Sequence, residues 1–219
     1  ILNLKRKSES GWVILGAHEV ARFLARMLKQ GENEVICIDE DPKACRLAEN
    51  EGIKVFYGNA LEERTLQRAE LDSRKGIIAL SGNEEVNYIF SQRAKHLAKE
   101  LIILTGIKYK NEGITSSMIG DTGGRIPFGR PVDIDKWSSR IRKGQTYLSF
   151  CEFTRDTNPD FKDESMRGVL LPMVVSHKGT TMPVHEQMTI KKGDFVTFLC
   201  NDQKKETAHG WLQENRFTI

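Results

Sequence analysis

The chain has 219 residues, 39% of them hydrophobic, enough to bury a sizeable core and suited to one medium domain followed by a smaller one. Its 33 basic and 30 acidic residues leave a formal charge of +3, and basic groupings as short as Lys5-Arg6-Lys7 and Lys204-Lys205 make no case for nucleic acid. Cys37, Cys45, Cys151 and Cys200 lack C-x-x-C spacing and the five histidines form no metal-ligand pair, so structural disulfides, zinc and metal catalysis are not expected.

In chain order, residues 1–10 (ILNLKRKSES) run from apolar to basic to serine-containing, as a linker following a membrane segment does. Trp12–Leu15 then reads as a strand running into Gly16, with an amphipathic helix starting at the turn, and Val35–Asp39 as the second strand. Such a turn aims free helix N–H groups at a phosphate, which makes Gly16, Ala17, His18, Glu19 and Val20 candidate ligand contacts. Asp39, with Glu40 beside it, is placed to accept hydrogen bonds from a ribose diol and to repel a 2'-phosphate, favouring an adenosine or NAD-type ligand over NADP. Against the G-x-G-x-x-G fingerprint, His18 replaces the second glycine and Ala21 the third. His18 either offers a ring N–H to a phosphate, making binding pH-sensitive, or is a solvent-facing histidine at an altered site.

A helix capped by Asp41 with Pro42 in its first turn, the strand Lys54–Tyr57, the turn Gly58-Asn59-Ala60 and a helix over 62–71 follow. The strand Gly76–Leu80 ends in Ser81-Gly82-Asn83, and a helix over 84–99 leads to the strand Leu101–Leu104. This alternation predicts an α/β fold, a Rossmann-like doubly wound parallel sheet whose ligand lies beyond the carboxyl ends of the strands. That gathers Gly16 to Val20, Asp39, Asn59, Ala60 and Ser81 around one crevice. The apolar helix stretch Val86–Ser91, with an exposed-looking Tyr88 or Phe90, is a candidate dimer contact, with ordinary packing of a helix on the sheet as the other reading.

From Gly106 to Pro131 the glycine-rich, polar pattern reads as a loop or hinge. Asp133 or Asp135 caps a helix through Trp137 and Arg142 that stops at Gly144, and Tyr147–Phe153 alternates like a half-buried strand. A small β-rich unit with strands over 168–177, 180–183 and 195–199 closes the chain. The division is therefore 1–10 linker, 11–130 Rossmann-like domain, 131–160 connecting helix and strand, and 161–219 β-rich domain. Asp156, Asp160, Asp163 and Glu164 read as a solvated loop, with a second effector or divalent cation as the other reading.

Several segments resemble a known family. Gly58-Asn59-Ala60 with Leu66 and Ala69, Ala79-Leu80-Ser81-Gly82-Asn83-Glu84-Glu85-Val86-Asn87, Met182-Pro183 and Lys192-Gly193-Asp194 are similar to motifs of RCK (regulator of K+ conductance) or TrkA-type assemblies, a TrkA-N domain followed by a TrkA-C-like one. The run 79–87 with Phe128–Asp133 and Trp137 looks most like the cytoplasmic tail of monovalent cation:proton (sodium/proton) antiporters. Asn59 stands where many relatives carry aspartate.

The resemblance implies a non-enzymatic gate at the cytoplasmic face of a membrane. An adenine nucleotide, NAD(H) or AMP/ADP/ATP, would rearrange a homodimer and bias the membrane domain of a cation transporter, expected in the same polypeptide. A free-standing peripheral subunit of a potassium uptake system is an alternative. An NAD-dependent oxidoreductase is another, although Tyr109-Lys110 lacks the Tyr-x-x-x-Lys spacing of a proton relay.

Overall fold

The computed structural model describes residues 11–109, 113–155 and 158–218. The expected linker 1–10, Lys110 and Asp156 lie outside them. Five parallel strands, β1 (Trp12–Leu15), β2 (Val35–Asp39), β3 (Lys54–Tyr57), β4 (Gly76–Ala79) and β5 (Ile102–Thr105), form a sheet in the order β3-β2-β1-β4-β5. Helices α1 (Glu19–Gln30), α2 (Pro42–Asn50), α3 (Glu63–Arg68) and α4 (Glu84–Leu97) make the connections. This is the expected Rossmann-like sheet. Strands β1 and β4 are buried along their whole length, as continuous apolar runs in a parallel sheet should be. Strand order reverses at the β1/β4 pair, and the carboxyl ends of both point at the same opening.

The helices start where their caps dictate. Asp41 accepts the Lys43 N–H ahead of Pro42, and Asn83 accepts the Val86 N–H with Glu84 and Glu85 in the favourable first turn. In α4, Phe90 is fully buried under the sheet, so it is not the exposed residue expected from sequence, and Tyr88 is half-buried against a cluster of isoleucines. The large apolar residues that α4 turns outward are Ile89 and Leu97. A helix presents its apolar residues by rotation angle, and Phe90 and Ala94, four apart, define the buried stripe.

The segment 106–131 corrects the loop-or-hinge expectation. It carries α5 (Ser116–Asp121), bridges Arg125 to Leu104 beside β5, and buries Ile107, Ile114, Ile119 and Ile126 in one cluster. Phe128, at φ 62°, is wholly buried, and a Cβ added to Gly129 (φ 77°) would stand 2.5 Å from the Cβ of Phe161. Glycine is required at that close approach. Next to it the buried guanidinium of Arg130 donates to four carbonyls, those of Phe161 (2.9 Å), Asp163 (3.0 Å), Met166 (3.1 Å) and Leu170 (2.8 Å). The glycines here serve tight turns in packed chain.

After α6 (Ile134–Arg142), capped by Asp133, come β6 (Thr146–Phe153), β7 (Leu170–His177), β8 (Thr180–Pro183), β9 (Phe195–Asn201), α7 (Lys205–Glu214) and β10 (Phe217–Thr218). The strands form an antiparallel sheet in the order β10-β6-β9-β7-β8. Strand β6, read from sequence as part of a connecting segment, lies inside this sheet between β9 and β10. Helix α7 and strand β10 were not expected at all. Trp211 and Leu212 of α7 cover the face bearing Cys151, Phe153, Val196 and Phe198.

The opposite face does not reach solvent as a separate unit. Leu171, Met173 and Leu199 join Trp12, Ile14, Leu24, Leu28 and Trp137 in one continuous core. Gly31, following α1, meets β8 so closely that a Cβ there would lie 2.3 Å from the Thr181 Cβ, and Asn33 Nδ2 donates to the Thr181 carbonyl at 3.1 Å.

Candidate functional site

Beyond the carboxyl ends of the parallel strands lies a crevice of about 320 Å³. The β1, β2, β3 and β4 exits contribute Gly16, Asp39, Glu40, Asn59, Ala60 and Ser81 to its wall, with Gly58, Gly82, Asn83 and Val86 beside them. Its volume is at the lower end of the ~300–1,000 Å³ usual for small-molecule sites.

Two turns are pinned together at its floor. Asp39 Oδ2 accepts the Ala17 N–H at 2.6 Å and Oδ1 accepts the Asp41 N–H at 2.8 Å. Each carboxylate oxygen keeps a further lone pair, so the group is oriented yet still able to accept two hydroxyl hydrogens. Gly16, at φ 111°, turns β1 into α1, and its own N–H is held by the Ile38 carbonyl at 2.8 Å. Gly58, at φ 149°, does the same after β3, its N–H bonded to the Asp39 carbonyl at 3.0 Å.

Asn59 is exposed and forms an Asx turn, its Oδ1 accepting the Leu61 N–H at 2.7 Å. That leaves its amide nitrogen as the donor it can offer a ligand. Ser81 is fixed from below by buried Asn87, whose Oδ1 accepts the Ser81 N–H at 2.8 Å and the Ser81 hydroxyl at 2.7 Å. Asn87 Nδ2 returns bonds to the carbonyls of Ser81 (3.0 Å) and Gly106 (2.9 Å). Sequence singled out Asn87 only through a resemblance; its fully used amide now explains why asparagine fits there.

The structure separates the remaining candidates from this wall. Val20 is core, and Ala17 contributes its N–H to Asp39 while its side chain is buried. Glu19 turns toward α6, where Arg142 Nη1 lies 2.8 Å from its carboxylate. His18 corrects both sequence readings, as a phosphate donor and as a solvent-facing ring. Its Nε2 meets the Leu80 carbonyl at 2.6 Å, and since a carbonyl can only accept, Nε2 carries the proton. Nδ1 is therefore the acceptor, capping α1 at the Ala21 N–H (3.4 Å) and facing the Ser138 hydroxyl (3.2 Å). Burial pushes its pKa below the ordinary value, against the opposing Leu80 bond, and the ring is neutral at pH 7. An imidazole locked into three elements is not free to follow a phosphate.

A larger cleft of about 590 Å³ lies between α1, α2 and α6, on the other side of His18. Most of its charges are spent on one another: Glu51 receives Arg22 at 2.9 Å and Arg26 at 2.5 Å, and Glu19 receives Arg142, leaving Lys43 and Asp41 at the rim outside these pairs. The crevice at the strand ends, with oriented but unsaturated acceptors, is the better candidate. The acidic stretch read as a solvated loop is partly structural, because Asp163 caps a 3-10 turn at Ser165 and accepts the Trp211 indole N–H at 2.9 Å. Among the described residues no group of three or more His, Cys, Asp or Glu could hold a metal ion. No helix among them is long and apolar enough to cross a membrane.

Residues 12–119, just under half of the chain, match the family model of the TrkA-N domain. The Trk system potassium uptake protein trkA homolog 1 of Methanosarcina mazei is 33% identical over 87 residues, covering 40% of this chain and 21% of that protein. The chain thus spans about a fifth of the length of that relative. Among solved structures, the TrkA-N domain of inner membrane protein ybaL from Escherichia coli is similar at 18% identity and a TM-score of 0.49, over 62% of this chain and 95% of that one. The GsuK channel bound to NAD is similar at 17% identity and a TM-score of 0.47, over 95% of this chain and 40% of that one.

Proposed function

We propose that this chain is a nucleotide-sensing regulatory module of a monovalent cation transport system and has no catalytic role. The observation that carries this reading is the Asp39 carboxylate, held by the Ala17 and Asp41 amides at the strand-order reversal with acceptor capacity left for a ribose diol. The match of residues 12–119 to the TrkA-N domain and the likeness to a potassium uptake protein support the regulatory context. The ligand is an adenine nucleotide, NAD(H) or AMP/ADP/ATP. Gly16, Asp39, Glu40, Asn59, Ala60 and Ser81 hold it, and a 2'-phosphate is rejected by Asp39.

Within this reading the module belongs to a sodium/proton antiporter at the cytoplasmic face of the membrane, tethered in the same polypeptide. It acts as a homodimer, and the β6–β10 unit serves as its TrkA-C-like part. Binding biases transport through differential affinity for two dimer arrangements, for which ~1–3 kcal/mol of coupling suffices. A free-standing subunit of a potassium uptake system shares the same binding chemistry, and the uptake-protein relative favours keeping it as the second reading.

Calorimetric titration with NAD+, NADH, NADP+, AMP, ADP and ATP tests the proposal. Saturable binding of an adenine nucleotide, weaker for NADP+ than NAD+ and lost in Asp39→Ala, is the expected result. Absence of binding by every member of the panel would sink the sensor reading.

A further inference from the structure

A second cavity, of about 360 Å³, lies between the end of β5, α6 and the start of β7, and shares no wall residue with the crevice at the strand ends. Five cations line it, Lys108, Arg130, Lys136, Arg140 and Arg167, against the single lining carboxylate of Asp133. Three of the five have acidic partners: Lys108 with Asp135 at 3.0 Å, Lys136 with Asp133 at 3.5 Å, and Arg167 with Glu164. Arg130 and Arg140 have no carboxylate within 4 Å among the described residues. The cavity therefore keeps two positive charges with no carboxylate in direct contact, Asp163 and Asp160 acting on Arg130 only from farther away.

Both uncompensated guanidiniums are fixed in place. Arg130 is almost wholly buried and held by four backbone carbonyls, which satisfy its hydrogens but leave its charge unneutralised. Arg140 lies over the Trp137 ring at 5.1 Å, and Gly168 brings backbone so near that a Cβ there would be 3.3 Å from its Nη2. The Nε of Arg167 is buried with no hydrogen-bond partner. Buried charge is costly unless it is paired; Arg130, its Nη hydrogens spent on carbonyls, contributes field alone, while Arg140 and Arg167 are the planar guanidiniums placed to meet the oxygens of phosphate.

We propose that this cavity binds a compact phosphate-bearing dianion, a phosphorylated small molecule distinct from the nucleotide at the strand ends. The wall draws on both sheets' surroundings: Lys108 follows β5, Lys136 and Arg140 come from α6, and Arg167 precedes β7. A bound dianion thus clamps the junction between the two units. The inference stands without the nucleotide reading, since no residue is shared.

Titration of the chain with pyrophosphate, with inorganic phosphate and sulfate alongside, tests it. Pyrophosphate is expected to bind with an affinity that falls as salt is raised, to weaken at least about tenfold in Arg140→Gln and in Arg167→Gln, and to bind Asp39→Ala unchanged. Circular dichroism checks that each variant folds. Should Arg140→Gln not fold, Lys136→Gln, at an exposed side chain, reads the same wall. No binding at millimolar pyrophosphate, equal binding of sulfate, undiminished binding in the folded arginine variants, or loss in Asp39→Ala would each overturn the proposal.

Discussion

His18 Nε2 donates to the Leu80 carbonyl at 2.6 Å, joining the turn after β1 to the exit of β4 across the point where the strand order reverses. The same ring caps α1 and meets Ser138 of α6, so one imidazole closes the sheet's top and docks the helix that follows the crossover. Removing it should be felt in stability more than in ligand chemistry. His18→Ala loses a cap worth ~1 kcal/mol and leaves a buried carbonyl without its donor, for a total of about 2–3 kcal/mol. Denaturant midpoints measure this; a change below half a kcal/mol would show the ring to be peripheral.

Asp39→Asn separates the structural role of this carboxylate from its ligand role. One of the two amides it holds, Ala17 or Asp41, would then face an NH2 group, a cost of about 1–3 kcal/mol. Nucleotide affinity should fall at least about tenfold because a neutral amide accepts diol hydrogens less strongly. Unfolding and calorimetry on the same sample check both effects, and an Asp39→Asn protein that binds NAD+ as tightly as the parent would contradict the assigned role.

Arg130→Met should be among the most damaging single changes outside the crevice. It strips the donors from four carbonyls, and even with partial rehydration the loss should be about 3–4 kcal/mol. Lysine should not rescue it, since an ammonium cannot span four carbonyls as a planar fork does. Thermal unfolding of both variants decides the matter, and near-parental stability for Arg130→Lys is the adverse outcome.

Acid should destabilise the fold through buried histidines. Burial, reinforced by neighbouring Arg125, holds His185 down at about 4 in the folded chain, against ~6.5 when unfolded. Between those values the unfolded chain binds the extra proton, so stability is fully present above pH 6.5 and lost as pH falls toward 4. The loss reaches about 3 kcal/mol. His18, also lowered by burial, acts in the same direction. Comparing unfolding at pH 7 and pH 4.5 for the parent and His185→Gln tests this; an equal acid penalty in both would assign the effect elsewhere.

Gly31→Ala probes the contact between the two units. The added Cβ would stand 2.3 Å from the Thr181 Cβ, so β8 must shift, at ~1–3 kcal/mol. Thr181→Ala removes the Oγ1, also 2.3 Å away, but keeps the clashing Cβ and should relieve the loss less than Thr181→Gly, which removes both. A double-mutant cycle by denaturant unfolding reads the coupling, and independent, additive effects would argue against a rigid junction.

Much of the first unit was legible from local pattern, because strands buried on both faces are continuous apolar runs and helices announce themselves with caps such as Asp41 and Asn83. The positions of Gly16, Asp39, Asn59 and Ser81 followed from topology, since every strand exit of a parallel sheet lies at one end. What the sequence by itself could not decide was where side chains with two possible uses would be spent. His18 reads equally as a phosphate donor or a solvent-facing ring until Leu80 and Ser138, 62 and 120 residues away, arrive beside it. The glycines of 106–131 look like a hinge because local composition says nothing about the isoleucines, Phe161 or four distant carbonyls that pack around them. Nothing local in the sequence marks the charge of Arg130 for burial, and only the packing of the chain over 161–170 around it removes that guanidinium from water with carbonyls in place of a carboxylate contact. Local propensity and periodicity fixed the elements; long-range burial fixed the protonation, the rigidity and the unpaired charge, since desolvation depends on neighbours that no local window contains.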